Sequence, residues 1–195
     1  AGAAGLRVVL AYDVREYRDK RGVYNPALPN PILGLTSRNF CEHAAGVYAA
    51  NGIASTILPT GSTKYVPTPE LSFNIRFYKA HGGLNMTASH NPPQDNGYKV
   101  YLGDGSQIVS PADAEIAAQI AAVGSLDSVP RGRPYVVLSE EVVDTYLDTV
   151  AALADDGPRD LRIVYTPLHG VGSVCVSAVL ETAGFAAPHV VPEQE

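Results

Sequence analysis

The sequence is poor in cysteine. Its 195 residues include only Cys41 and Cys175, which lie far apart and form no Cys-x-x-Cys pair. This count and spacing predict neither a zinc site nor a disulfide scaffold. Because thiols stay reduced in the cytosol, a cytoplasmic protein is the expectation.

Basic residues and long apolar runs are scarce as well. Fourteen Lys and Arg against twenty Asp and Glu give a net charge of -6, which argues against a nucleic-acid-binding surface. The N-terminal apolar stretch is short and is interrupted by Arg7 and Asp13. It therefore predicts no signal peptide and no membrane span. With 46% hydrophobic and 17% charged residues, the composition is that of a folded globular protein.

The first 124 residues alternate between strand and helix patterns. Strands are predicted at 6–12, 53–58, 84–87 and 97–102, and helices from Thr36 or Ser37 to 51, at 68–80 and at 110–123. Thr68-Pro69 and Ser110-Pro111 are each interpreted as an N-cap followed by proline at the first helical position. Such alternation is typical of a layered α/β domain with a mixed sheet.

A second unit is predicted beyond a linker. Residues 125–138 are rich in Gly, Pro and Ser, which is typical of a linker. After it, helices are expected at 139–154 and 173–183 and strands at 161–165 and 189–191. A single βαβ unit cannot cover both faces of its strands, so 139–195 is predicted to be an incomplete α/β domain.

One loop carries the candidate chemistry. The segment Thr87-Ala88-Ser89-His90-Asn91-Pro92-Pro93 follows a predicted buried strand, where open α/β sheets place ligands. Adjacent Ser and His side chains point apart, and no G-x-S-x-G surrounds Ser89, so a hydrolase triad is disfavoured. Phosphoryl transfer, which requires positioning and positive charge, fits better. The loop alone also fits a turn in which Ser and Asn side chains cap backbone groups.

Longer strings connect this loop with a known family. Residues 87–101, with Gly105-Ser106-Gln107-Ile108 and Ser110-Pro111, resemble the active-serine loop of the phosphohexomutases, the phosphoglucomutase/phosphomannomutase superfamily. Thr68-Pro69-Glu70-Leu71-Ser72-Phe73 is similar to the family too. Tyr165-Thr166-Pro167-Leu168-His169-Gly170-Val171-Gly172 is most similar to the branch that includes phosphopentomutases. The resemblance covers most of residues 6–195.

The resemblance implies a reaction and roles for four residues. Phosphorylated Ser89 would interconvert sugar 1-phosphates with 6- or 5-phosphates through a sugar bisphosphate, with glucose 1,6-bisphosphate as activator. Mg²⁺ would contact the phosphate on Ser89. Lys99 would neutralise charge or assist proton transfer, His90 would carry a proton, and Arg15 would face the phosphoserine; an ordinary ion pair of Arg15 with Asp13 is the alternative.

Several family features have no counterpart in the sequence. The family's metal loop, Asp-x-Asp-x-Asp-Arg, is absent, and no Asp-x-Asp spacing occurs. Its sugar-selecting and phosphate-gripping loops belong to third and fourth domains. We therefore expect this stretch to be inactive by itself and to need further C-terminal domains, with a phosphosugar as substrate and neither nucleic acid nor membrane as partner.

Two other functions remain open at this point. The Gly170-Val171-Gly172 turn lies between a strand and a helix, as a dinucleotide-binding loop does, but it lacks the third glycine. A nucleotide-binding α/β module is thus one alternative. A non-catalytic phosphosugar-binding module is the other, and it would leave Ser89 unmodified.

Overall fold

A computed structural model describes residues 5–58, 65–132, 136–137 and 141–195, with the side chains of 136–137 excepted. The chain contains seven strands and five α-helices in these ranges. They are β1 (Arg7–Tyr12), α1 (Ser37–Ala50), β2 (Ala54–Ile57), α2 (Thr68–Phe77), β3 (Gly82–Met86), β4 (Tyr98–Leu102), α3 (Ala112–Ala122), β5 (Val136–Val137), α4 (Glu141–Ala151), β6 (Val164–Tyr165), α5 (Ser173–Thr182) and β7 (His189–Val190). The α/β fold class with a mixed sheet is confirmed.

Five strands form the main sheet in the order β4-β3-β1-β2-β5. β1 lies at the centre, parallel to both β2 and β3, and its residues Val9, Leu10, Ala11 and Tyr12 are buried. A strand covered on both faces needs a continuous apolar run, which is what the sequence provides here. β4 pairs antiparallel with β3 and makes the sheet mixed.

The predicted start of α1 is confirmed. Thr36 caps the helix, its hydroxyl accepting from the backbone N–H of Asn39, whose side chain accepts in return from the Thr36 N–H. This reciprocal capping satisfies two backbone donors that a helix start otherwise leaves unpaired. At the other end, Gly52 adopts a φ of 73°, the left-handed conformation in which glycine terminates helices.

The predicted caps of α2 and α3 are each wrong by one residue. Pro67, not Thr68, is the N-cap of α2, and Pro111, not Ser110, is the N-cap of α3. α2 also ends at Phe77, earlier than the predicted residue 80, because Lys79 adopts a φ of 50° and turns the chain toward β3.

β3 begins two residues earlier than the sequence predicts. Gly82 and Gly83 pair in parallel with Val8 and Val9 of β1. A Cβ on Gly83 would lie 2.8 Å from Ile75 Cδ1 and 2.9 Å from the Val9 carbonyl oxygen. Glycine at this position therefore lets α2 pack directly on the sheet, although glycine pairs are ordinarily interpreted as a break between elements.

The segment predicted as a linker contains a strand. β5 pairs in parallel with β2, Thr56 opposite Val136, and forms the edge of the main sheet. Next along the chain, α4 falls inside the predicted helix 139–154, whereas its predicted cap, Ser139, lies outside the described residues. The boundaries at 124 and 138 thus remain predictions, with β5 attached to the first unit.

Residues 141–195 form a smaller α/β arrangement. β6 and β7 pair in parallel and are connected through α5, while the predicted strand 161–165 is shortened to Val164–Tyr165. α4 packs against α2, where the Tyr146 ring lies 5.4 Å from that of Phe73. Among the described helices, none has the length and apolar character needed to cross a membrane.

Candidate active site

Ser89 lies three residues beyond β3, on a loop that leads directly into β4. The N–H of Thr87 donates to the Gly97 carbonyl at 3.0 Å and closes the base of this loop. β1 and β3 are parallel, so their carboxyl ends meet at one edge of the sheet. Ser89 and Arg15, which follow these two ends, consequently lie together where α/β sheets bind their ligands.

The backbone of Ser89 is strained. Its φ is 56°, in the left-handed region that non-glycine residues seldom adopt and that costs about 1–3 kcal/mol. Two bonds hold the turn: the Ser89 N–H donates to the Thr87 hydroxyl at 3.0 Å, and the Asn91 N–H donates to the Ala88 carbonyl at 3.0 Å. The loop thus presents an exposed hydroxyl from a fixed backbone conformation.

Arg15 is bound to this loop through both terminal nitrogens of its guanidinium group. Nη2 donates to the carbonyl oxygens of Ser89 and Asn91 at 2.7 and 2.9 Å. Nη1 donates to those of Pro92 and Asp95 at 2.7 and 3.2 Å. With Nε donating to Asp13 Oδ2 at 2.9 Å, all five N–H donors of the side chain have acceptors. The predicted proximity of Arg15 and Ser89 is found, and the predicted ion pair with Asp13 coexists with it.

Asp13 connects the loop with α1. Its Oδ1 accepts from the Arg15 backbone N–H at 3.1 Å and from the Ser37 hydroxyl at 2.6 Å. Ser37, fully buried in the first turn of α1, accepts from Asn96 Nδ2 at 3.0 Å. Asn96 Oδ1 accepts in turn from the Gly97 N–H at 2.7 Å. The far end of the loop is therefore tied to the same carboxylate that holds Arg15.

His90 lies beside the candidate nucleophile. Its Nδ1 is 3.5 Å from Ser89 Oγ, longer than the about 2.6–3.2 Å of a nucleophile–base pair. The two side chains thus approach each other, although neighbouring side chains were predicted to point apart. Within the described ranges, no hydrogen bond orients the other ring nitrogen, so the geometry does not form a triad.

Lys99 lies at the base of the loop, as the second residue of β4. It pairs directly with Asn85 of β3, so both side chains project from the same sheet face. Asn85 Nδ2 donates to Thr68 Oγ1 at 2.9 Å, which identifies this as the face covered by the start of α2. In the part of the chain that the structure describes, no ion pair engages the ammonium group.

The described residues do not form a metal site by themselves. The described residues contain no group of three or more His, Cys, Asp or Glu side chains placed to hold an ion. The Asp13 carboxylate, which is tied to the loop through Arg15, is already engaged by Arg15 and Ser37. The side chains that the structure describes therefore do not provide a complete set of Mg²⁺ ligands around Ser89.

The glycine turn after β6 has a local steric cause. A Cβ on Gly172 would lie 2.5 Å from the Tyr165 hydroxyl, so a larger residue there would have to displace the Tyr165 side chain. Leu168 and His169 precede it with φ of 50° and 61°, and the His169 N–H donates to the Gln194 carbonyl at 2.7 Å. The glycine at 172 therefore has a local packing explanation, whether or not the turn binds a nucleotide.

Of the predicted site residues, the structure brings Ser89, His90 and Arg15 into contact and places Lys99 at the base of their loop. The sequence did not predict that Asp13 connects Arg15 with Ser37. It also predicted no site role for Ser37, Asn96 or Thr87. Asp13 had a signal, since it stands two residues before Arg15 at a strand end. Ser37 and Asn96 are 59 residues apart, and nothing in the sequence connects them.

The chain is similar to known proteins over most of its own length. Residues 35–127 match the family model described as phosphoglucomutase/phosphomannomutase, alpha/beta/alpha domain I. A probable phosphomannomutase of Haemophilus influenzae is 43% identical over 175 residues, which cover 85% of this chain and 35% of that protein. A phosphopentomutase of Homo sapiens is 30% identical over 180 residues, covering 87% of this chain and 29% of that protein.

Solved structures agree on the fold. A putative phosphomannomutase from Thermus thermophilus superposes with a TM-score of 0.70 at 24% identity, covering 96% of this chain and 37% of that one. The chain thus spans about a third of the length of these relatives. Because the phosphomannomutase shares more identical residues than the phosphopentomutase, the phosphopentomutase-like branch stays a prediction.

Proposed function

Because this chain belongs to the phosphoglucomutase/phosphomannomutase superfamily, we propose that it forms part of a phosphosugar mutase in which Ser89 carries the transferable phosphoryl group. The carrying observation is the braced loop that presents Ser89 beyond β3 in a left-handed conformation. The proposed reaction moves phosphate between carbon 1 and carbon 6, or carbon 5, of the sugar.

Each half of the proposed reaction uses the same serine. Phosphorylated Ser89 gives its phosphoryl group to the free hydroxyl of a sugar monophosphate, which becomes a bisphosphate. After the bisphosphate turns over in the site, Ser89 Oγ accepts the other phosphoryl group and the product leaves as a monophosphate. A phosphate monoester hydrolyses extremely slowly in water, so the phosphoserine persists between turnovers.

The neighbouring side chains supply charge and protons in this proposal. Lys99 would offset the charge of the moving phosphoryl group or assist the proton transfer, from its place at the loop base. His90, 3.5 Å from Ser89 Oγ, would carry the proton of the serine hydroxyl, since the two ring nitrogens of an imidazole can accept and donate protons. Glucose 1,6-bisphosphate would restore any dephosphorylated Ser89.

The proposed reaction also needs metal ligands and domains that the described residues do not supply. A divalent metal, expected to be Mg²⁺, would polarise the phosphoserine, but its carboxylate ligands would come from outside the described residues. The activity itself would need the further domains that the longer relatives possess. A cytoplasmic location and a phosphosugar as substrate belong to the same proposal.

Peptide mass spectrometry of the complete gene product, incubated with glucose 1,6-bisphosphate, tests this function. We expect phosphate on Ser89, and loss of sugar phosphate interconversion in Ser89→Ala. Ser125→Ala, which removes an exposed serine hydroxyl elsewhere, is the matched control and should keep full activity. Phosphate found solely on another residue, or an active Ser89→Ala variant, would refute the proposal.

A further inference from the structure

We infer that Arg15 is a positioning residue for Ser89, and that Asp13, Ser37 and Asn96 form the support through which it acts. This inference rests on the proposed function. It differs from the expectation that Arg15 faces the phosphoserine, because it assigns the guanidinium to the backbone of the loop. It also gives Asp13, Ser37 and Asn96 a supporting role in the site, which the sequence did not predict.

The donors of Arg15 are fully used. Four carbonyl oxygens and one carboxylate oxygen accept its five N–H groups, at distances of 2.7 to 3.2 Å. Its side chain is 10% exposed, and that of Asp13 is 14% exposed. A phosphoryl group on Ser89 could bind this guanidinium only by displacing a bond that shapes the loop. Asp13 also offsets the positive charge at a distance of 2.9 Å.

The bonds to Arg15 determine which way the loop dipoles point. The carbonyl oxygens of Ser89, Asn91, Pro92 and Asp95 all turn toward the guanidinium. In a trans peptide the N–H is directed opposite to the C=O, so the His90 N–H points away from Arg15. Four partial negative charges are thereby withdrawn from the outer face of the loop, where a phosphoryl group must approach.

The support holds the loop at a second point. Asn96 binds the fully buried hydroxyl of Ser37, and Ser37 binds the same Asp13 carboxylate that anchors Arg15. The loop is thus fixed near Ser89 by the guanidinium and near β4 by the amide. Phosphoryl transfer depends on in-line alignment, and a misplacement of about 1 Å can lower a rate about 100-fold.

Kinetics of Arg15→Lys and Arg15→Gln in the complete gene product separate a positioning role from a charge role. Lysine keeps the positive charge but cannot reach four carbonyl oxygens. We expect both variants to lower kcat about 100-fold, with KM changed less than about threefold. Arg18→Gln is the control, since Arg18 forms an exposed ion pair with Glu16 and should leave kcat unchanged. Near-normal kcat in Arg15→Lys beside a large loss in Arg15→Gln would overturn the inference.

Asn96→Ala tests the support without touching the buried core, because Asn96 is exposed. We expect kcat to fall about tenfold, with faster amide hydrogen exchange in residues 89–97. Hydrogen exchange requires no phosphosugar, so it tests the support formed by Asp13, Ser37 and Asn96 even if Ser89 never carries phosphate. An unphosphorylated Ser89 with fast exchange in Asn96→Ala would refute the proposed function alone. Unchanged exchange and unchanged kcat in Asn96→Ala would refute the positioning role.

Discussion

The first unit, residues 5–132 together with β5, and the following residues 141–195 use similar elements but bury very different amounts of apolar surface. The first unit contains a cluster of fourteen buried apolar side chains between α1, α2 and the main sheet. In the described residues from 141 onward, only Val142 and Val143 are buried, and both belong to α4. Leu161 and Val164 remain 59% and 71% exposed.

The difference shows that the pattern of strands and helices does not by itself make a stable layer. A central strand such as β1 gains most when helices and neighbouring strands cover both of its faces. The two-stranded sheet of β6 and β7 has α5 but no further described strand beside it. We therefore expect the residues after 159 to depend on contacts of α4 with α2 and α5 for much of their order.

Truncation of one leucine in each region should give the largest contrast. Leu71→Ala removes a fully buried side chain beside Gly83 and should lower the free energy of unfolding by about 2–5 kcal/mol. Leu161→Ala, the matched change at an exposed leucine, should alter it by less than about 0.5 kcal/mol. Urea denaturation measures both, and equal losses would show that both regions share one core.

Hydrogen exchange should separate the regions without mutation. We expect amides in β1 and β3 to exchange on the order of 100-fold more slowly than those in α5, because local opening of the less buried region does not require disruption of the main sheet. Peptide-resolved mass spectrometry measures this ratio. Protection beyond Arg159 equal to that of the first unit would contradict the comparison.

The two cysteines give a smaller chemical contrast. Burial raises the pKa of Cys41 to about 12, and its thiol donates to the Ala11 carbonyl at 3.0 Å. Cys175 in α5 is only half-buried. Iodoacetamide at pH 8 should therefore modify Cys175 and leave Cys41 unmodified until the first unit unfolds, because the thiolate is the reactive form.

The same pKa predicts a dependence of stability on pH. An unfolded thiol ionises near about 8.5, whereas the folded Cys41 stays neutral. The neutral Cys41 thiol therefore contributes fully to the free energy of unfolding below about pH 8.5, and this contribution is lost as the pH rises toward 12. Cys41→Ala should flatten the decline between pH 8.5 and 9.5, and Cys175→Ala should not. Identical slopes in both variants would exclude Cys41 as the cause.

The main elements of the first unit followed from apolar patterning and helix caps. β1 and α1 could be predicted closely, since an unbroken apolar run and Thr36 mark them locally. β5 could not, because two residues in a Gly- and Pro-rich segment become a strand only by pairing with Thr56 and Ile57 of β2. Its formation is a long-range effect that no local pattern encodes.

The candidate site could be predicted only in part, because some of its contacts also join residues that are far apart in the sequence. Ser89, His90 and Lys99 stand in one short string, so their proximity could be predicted from the sequence. The hydrogen bonds from Arg15 to the loop could not be predicted, because their acceptors are backbone carbonyls, which every residue possesses. The pairing of Ser37 with Asn96 required the sheet to bring the start of α1 beside the loop.

Arg15 binds a loop that lies 74 to 80 residues further along the chain, so its partners are synthesised well after Arg15 itself. A ribosome that adds about 5–20 residues per second needs roughly 4–16 s after Arg15 to supply its last partner. During that interval β1 is complete but lacks β3, its later neighbour. The nascent chain consequently exposes an apolar strand while water, instead of the loop carbonyls, hydrates the Arg15 guanidinium, and chaperones that recognise apolar segments would meet this stretch before the serine loop exists.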